Sequence, residues 1–328
     1  MPPLRYLSST DVAACLPPAD RRVELAAEAM RGLAEGDAEM PSKVGVHPRD
    51  GALLHAMPAW LRGRDLVGMK WIAAFPSNRR LGLPAINGLI VLNDAETGLP
   101  TWLMDAAQIT AHRTAAVSGV GLHVFERTRG SGKLTVALLG AGVQARSHLE
   151  LLAGVLPDAT VRLHDRHAER TATLADEFNA LRGDRWVEPA DSAQAAVDGA
   201  AVVITVASLQ KGTAVITPDW LAPSTLVVAV DFATYVTPKV AAAAAPFVTD
   251  DRAQFLAYRE AGYFDGYRDP DTTLGELLAL APGDGPGLPA DGRPVLVTHL
   301  GVGLADVIFA DAIATEAERR GRGHLLPR

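Results

Sequence analysis

Along the first third of the chain, short apolar runs are broken by turn-forming residues, and one helical stripe stands among them. Residues 5–37 read as a short strand, a cap at Ser8, Ser9 or Thr10, and a helix over 20–35. Val23, Ala26, Ala27, Met30, Leu33 and Ala34 recur at helical spacing and predict its buried face, with Leu25 off that face and Glu24 and Glu28 on the polar side. Gly36 is placed to end it. Residues 40–118 predict an antiparallel sheet that runs into a helix. Strands are expected over 53–58, 66–75 and 87–93, with a hairpin turn at 94–98 and a returning strand at 101–104. The Ala-rich run after Asp105 predicts a helix, with Asp105 as its cap.

The pattern then changes. An apolar run over 134–139 leads into Gly140-Ala141-Gly142-Val143-Gln144-Ala145, a helix-like segment, a second apolar run over 160–163 and Asp165. Strand, glycine turn, helix, strand and acid is the opening unit of a dinucleotide-binding fold. Gly140 permits a tight turn and Gly142 lets backbone approach a pyrophosphate, with Val143 and Gln144 opening the helix whose N–H groups face it. Ala145 is the small third residue where helix and strand pack closely. A ligand-free strand-to-helix turn is the plainer alternative. Further strands are expected over 202–206, ending in Ala207-Ser208, over 226–230, ending at Asp231, and over 247–249, ending at Asp250. Residues 241–245 are helix-compatible, 271–280 form a short helical pattern, and 281–294 are a Gly/Pro-dense loop. PVLVTHL is a last strand that enters a long final helix.

Composition narrows the function classes. At 328 residues the chain is long enough for two domains, and its 48% hydrophobic and 21% charged content is ordinary for a globular protein. A net charge of -7 gives nucleic-acid binding no electrostatic support. Cys15, the sole cysteine, excludes an intramolecular disulfide and a cysteine-rich metal site; no metal is expected. The N-terminus lacks a continuous apolar core, and no run is long enough to span a membrane, so a cytoplasmic protein is expected.

Against that background, three cations stand out. Lys70 lies inside LVGMKWIAAF, Arg113 lies in the Ala-rich helix, and Lys43 precedes both. A cation in apolar surroundings requires a carboxylate or access to solvent. Either these residues bind a small carboxylate, with Arg113 gripping it bidentately, or they are structural ion pairs with Asp94, Asp105 or Glu96, or they snorkel to solvent.

The ordered segments MPSK, HAMPAWL, GMKWIAAFPSNRRLGLPAINGLIVLNDAETGLPTWLMDAAQITAHRTAA and GAGVQA resemble the ornithine cyclodeaminase/μ-crystallin family over most of the chain. The resemblance implies an α/β protein with two domains. A Rossmann-type nucleotide domain would cover 121–304, and a discontinuous α+β substrate and dimerisation domain would cover 1–120 and 305–328. It implies that Lys70 contacts the substrate carboxylate and assists proton transfer, and that Arg113 binds the same carboxylate. Thr114 falls where the family helix approaches the cofactor phosphates, and Lys43 stands where an arginine is usual. His55 and Met57 line the matching strand as substrate-side candidates. Asp165 favours NAD through the ribose hydroxyls, while Arg166, His167 and Arg170 leave NADP open. Ala207 and Ser208 are nicotinamide-side candidates, His299 is a candidate to tune that ring, and Gly301 and Asp306 fall near the cofactor or the domain junction. Cyclodeaminase-type members carry a catalytic aspartate where this chain has Ala233; Asp231, two residues earlier, is the candidate substitute for catalysis or cofactor contact.

The expectation is an NAD-dependent oxidoreductase, with NADP possible, acting on a small amino acid or its imine and working as a homodimer. A redox-neutral ornithine cyclodeaminase and a non-catalytic NAD(P)-binding protein are the rivals.

Overall fold

The computed structural model describes residues 3–126, 133–210, 212–280 and 287–327. In chain order the elements begin with β1 (Leu4–Leu7), α1 (Ser9–Ala14), α2 (Ala19–Ala34), β2 (Ala38–Glu39), β3 (Val44–Val46), β4 (Leu53–Leu61), β5 (Leu66–Ala74), β6 (Ile86–Asn93), β7 (Pro100–Asp105) and α3 (Ala107–Glu126). They continue as β8 (Thr135–Leu139), α4 (Val143–Val155), β9 (Thr160–His164), α5 (Ala168–Arg182), β10 (Val187–Pro189), α6 (Ala193–Val197), β11 (Val202–Thr205) and β12 (Leu226–Ala229). The chain then forms α7 (Pro238–Ala243), β13 (Phe247–Thr249), α8 (Arg252–Glu260), β14 (Thr272–Thr273), α9 (Leu274–Ala279), β15 (Val295–Thr298), α10 (Gly303–Arg319) and β16 (His324–Leu326). Two compact units result: Met1–Arg113 with Gly301–Arg328, and Thr114–Leu300.

The first unit is built on a mixed sheet ordered β16-β1-β7-β6-β5-β4-β2, with β3 paired to β4. Its central strands alternate in burial. In β5, Gly68, Lys70 and Ile72 point inward while Trp71 is exposed. Helix α10 covers that inner face, packing on β4, β5 and β6 and against α2. Gly68 is required by this packing, because a Cβ there would sit 2.6 Å from the Val91 carbonyl and 3.3 Å from Val307. Ser8 caps α1 through a capping box with Asp11, and the Asp105 carboxylate accepts the Ala107 N–H at the start of α3.

The buried stripe of α2 differs from the expected one. Of the expected positions Ala26, Ala27 and Met30 are buried, joined by Leu25, Ala29, Gly32 and Arg22, whereas Val23 and Leu33 are half-buried and Ala34 is exposed. Arg22 turns inward to His112, with its Nη1 2.6 Å from the His112 Nδ1. A hydropathy stripe cannot register a buried arginine. Strand β4 also continues through Pro58 to Leu61, held by β5 alongside it.

The second unit is an all-parallel sheet in the order β10-β9-β8-β11-β12-β15-β13-β14. Its five central strands, β8, β11, β12, β15 and β13, are almost wholly buried, as expected for a sheet covered on both faces. The order reverses between β8 and β11, which places the ligand crevice of such a sheet at their carboxyl ends. The expected loop at 281–294 lies outside the described residues over 281–286. Among the described residues no helix is long and apolar enough to cross a membrane.

Candidate functional site

The first unit gathers two of the three cations read from the sequence, Lys70 and Arg113, around a carboxylate that the sequence reading had not paired with them. Lys70 enters from the inner face of β5 and is 1% exposed. Arg113 comes from α3, and Asp306, fully buried, from the first turn of α10. Lys70 Nζ lies 2.5 Å from Asp306 Oδ2, and Arg113 Nε donates to Asp306 Oδ1 at 2.9 Å. The ion-pair partner is therefore Asp306, not Asp94, Asp105 or Glu96. Asp94 instead holds its own turn through Thr97.

Three ionisable groups share this buried volume. Burial, reinforced by the Arg113 charge and only partly offset by Asp306, pushes Lys70 down to about 7. Burial opposes ionisation of Asp306, but Arg113 and Lys70 together outweigh it and keep the carboxylate below its ordinary range. Asp306 cannot neutralise two cations, and among the described residues Arg113 Nη1 is buried without an acceptor. A small anion fits that deficit.

Gly301 explains how the guanidinium is accommodated. Its φ is +84°, and a Cβ there would fall 2.5 Å from Arg113 Nη1. Gly303 similarly lets α10 start against the Met57 carbonyl, 2.8 Å from where a Cβ would be. Met57 is buried and pairs across the sheet with Lys70. His55, on the same face of β4, is half-buried and lowered to about 4 by burial and by the charges of Lys43, His47 and Lys70. Lys43, His55, Met57, Lys70 and Arg113 thus belong to one neighbourhood of the first unit.

The second unit brings together the glycine turn and the strand ends beside it. Gly140 has φ +120°, and a Cβ on it would lie 3.0 Å from the Val206 carbonyl, so the turn demands glycine. Gly142 occupies the N-cap of α4 with no side-chain cap and open space where a Cβ would project. That leaves room for phosphate at the helix start, beside exposed Val143 and half-buried Gln144, while Ala145 is fully buried. Asp165 closes the turn: its Oδ2 accepts the Ala141 N–H at 3.0 Å and its Oδ1 the His167 N–H at 2.9 Å. Arg166, His167 and Arg170 are exposed next to it. These residues suit a dinucleotide.

Asp231 is buried at the end of β12, where Thr205 Oγ1 donates to it at 2.6 Å and the Ala207 N–H at 3.0 Å. Burial raises it to about 7 against the pull of those two hydrogen bonds. It ties the β11 terminus to the β12 terminus. Thr114 and His299 are buried and Ser208 is exposed. Two residues absent from the sequence reading, Ser118 and His148, contact His299 directly or in series. No spacing in the sequence signals them. The cavity lined by Lys133, Asp158, Arg182, Asp184 and Trp186 lies at the opposite, amino-terminal edge of β8 and β9 and takes no part in the turn.

Comparison with known proteins identifies a family for nearly the whole chain. The model of the ornithine cyclodeaminase/mu-crystallin family matches residues 10–320. The nodulation efficiency protein NfeD of Rhizobium meliloti is 36% identical over 324 residues, covering 99% of this chain and 98% of its own. Alanine dehydrogenase of Archaeoglobus fulgidus is 28% identical over 312 residues, covering 93% and 92%. A solved archaeal alanine dehydrogenase, a dimer with bound NAD, superposes with a TM-score of 0.81 at 26% identity, over 99% of both chains. With the parallel dinucleotide-type sheet, the mixed discontinuous unit and a match across nearly the whole length, the chain belongs to the ornithine cyclodeaminase/mu-crystallin family.

Proposed function

We propose that the protein is an NAD(P)-dependent oxidoreductase that interconverts a small L-amino acid and its imine. The observation that carries this reading is the buried Lys70–Asp306–Arg113 cluster, in which Arg113 Nη1 has no acceptor among the described residues. A substrate carboxylate supplies that acceptor and a charge-assisted pair with Arg113. Lys43 adds charge to the grip, and His55 and Met57 border the substrate. Holding the carboxylate fixes the orientation of the α-carbon. Lys70, lowered to about 7, takes a proton from the amino nitrogen in oxidation and returns it to the imine nitrogen in reduction.

Gly140, Gly142, Val143, Gln144 and Ala145 would hold the pyrophosphate, with Thr114 assisting, and Asp165 the adenosine ribose. The Asp165 carboxylate favours NAD, while exposed Arg166, His167 and Arg170 give NADP a foothold. Ala207, Ser208, Asp231 and His299 would border the nicotinamide. When bound, the cofactor supplies hydride exchange with the substrate α-carbon. Asp231 keeps the Ala207 backbone in place for it. A cytoplasmic location suits an enzyme drawing on the soluble cofactor pool.

The second reading, redox-neutral cyclodeamination, is weakened by Ala233, whose side chain packs on the core of the second unit where a carboxylate would be desolvated. The outer sheet face supports a homodimer. Trp71 and Leu89 pair across β5 and β6 and are each 40% exposed, with Met69 and Val91 paired beside them.

A spectrophotometric screen tests the function: amino acids with NAD or NADP, and cyclic imines or keto acids plus amines with NADH or NADPH. Stoichiometric cofactor turnover is expected. Ammonia release without net cofactor change would favour cyclodeamination, and cofactor binding with no turnover anywhere would leave a non-catalytic binding protein.

A further inference from the structure

A chain of three buried polar side chains runs through the second unit. His148 Nδ1 lies 2.7 Å from the Gln144 carbonyl, one turn earlier in α4. Ser118 Oγ lies 2.8 Å from His148 Nε2 and 2.9 Å from His299 Nε2. Ser118 and His148 are fully buried and His299 is 2% exposed. The direction of each hydrogen bond follows from what each atom can do. A carbonyl only accepts, so His148 carries its proton on Nδ1. Burial pushes His148 down to about 4, which keeps the ring neutral and leaves Nε2 with a lone pair. The Ser118 hydroxyl has one proton and donates it there. Its oxygen is then an acceptor toward His299, which must present Nε2–H.

We propose that Ser118 and His148 are positioning residues that lock His299 in its Nε2–H form, fixed from the carbonyl of Gln144 in the first turn of α4, directly after the glycine turn. The role rests on the reading of that turn as the dinucleotide site, since His299 follows β15 at the carboxyl edge of the sheet where ligands of this architecture bind. The lock orients the imidazole and leaves Nδ1 as its acceptor nitrogen. One face of the site therefore keeps a constant hydrogen-bond polarity, set from the start of the helix that follows the glycine turn. The three residues are scattered at positions 118, 148 and 299 and converge only through the parallel sheet and the helices on it.

The test uses the full chain labelled with 15N-histidine, with His148→Gln and His299→Gln assigning the signals. Long-range proton–nitrogen spectra of the wild type should show His299 protonated on Nε2 and His148 on Nδ1. Ser118→Ala should release His299 into a mixture of tautomers. It should also lower kcat about tenfold, as expected for one lost orienting hydrogen bond, while NADH dissociation constants change by less than about threefold. His148→Gln retains an acceptor for Ser118 and should preserve the His299 tautomer, whereas His148→Met should not. A wild-type His299 protonated on Nδ1, or a spectrum unchanged by Ser118→Ala, overturns the lock. A changed spectrum with unchanged kcat overturns the positioning role. If the wild type fails to bind NADH, the dinucleotide reading falls and takes the positioning role with it, while the spectra still decide whether the lock exists.

Discussion

Lys70 Nζ lies 2.5 Å from Asp306 Oδ2, across 236 residues of sequence, and neither side chain reaches solvent. The same carboxylate receives Arg113, so one anion holds two cations in place. A buried pair of this kind is weak evidence for stability, because desolvation offsets the attraction. Its value here is placement: it fixes both cations and leaves them one negative charge short.

Removing the shared anion should therefore damage the fold more than removing either cation. Asp306→Asn leaves Lys70 and Arg113 facing each other, at a cost of about 3–5 kcal/mol of folding stability. Urea unfolding at neutral pH measures it. A loss below about 1 kcal/mol, the range of an exposed pair, would mean that the cluster is solvated in solution.

Lys70 should govern the pH dependence of turnover. Its folded value lies near 7, below the ordinary lysine range, because of burial and Arg113. Oxidation needs the neutral amine as base, so kcat should rise as pH climbs through about 7. Reduction needs the ammonium as acid, so kcat should fall over the same interval. Lys70→Met should slow both directions and erase both inflections. Inflections that survive in Lys70→Met would assign the proton to another group.

Arg113 and Gly301 should report on substrate grip without disturbing the cofactor. Arg113→Ala should raise KM for the amino acid about a hundredfold, roughly the value of a charge-assisted contact. Gly301→Ala forces a side chain into a left-handed backbone and onto the guanidinium. It should raise KM about tenfold and destabilise the protein by roughly 1–2 kcal/mol. NADH affinity, followed by fluorescence titration, should stay near wild type in both variants. Equal loss of substrate and cofactor binding would contradict the assignment.

Asp165 should set cofactor preference. Asp165→Ser removes the carboxylate proposed to hold the ribose and leaves Arg166, His167 and Arg170 beside it. The ratio of kcat/KM for NADP over NAD should rise about tenfold or more. Because Asp165 also accepts the Ala141 and His167 N–H groups, the variant should lose some thermal stability as well. An unchanged ratio would mean that the ribose is read elsewhere.

The second unit was legible in the sequence to a large degree. A parallel sheet buries both faces of its central strands, so β8, β11, β12 and β15 appear as apolar runs, and the turn after β8 needs glycine for a local reason, its backbone φ of +120°. Lys70 and Arg113 also stood out, since cations inside apolar runs require an explanation. Their partner did not. Asp306 sits in a helix whose apolar residues outnumber its charges, and nothing local marks it as the acid for two distant cations. Nor did the apolar stripe of α2 register Arg22, which is buried against His112. Local sequence thus determined the strands, the glycine turn and the presence of costly cations, all of which follow from burial and backbone sterics over a few residues. Tertiary structure alone decided which charges neutralise which, and which nitrogen of His299 carries its proton. Electrostatic and hydrogen-bond partners are chosen by proximity in space, and chain spacing does not encode that.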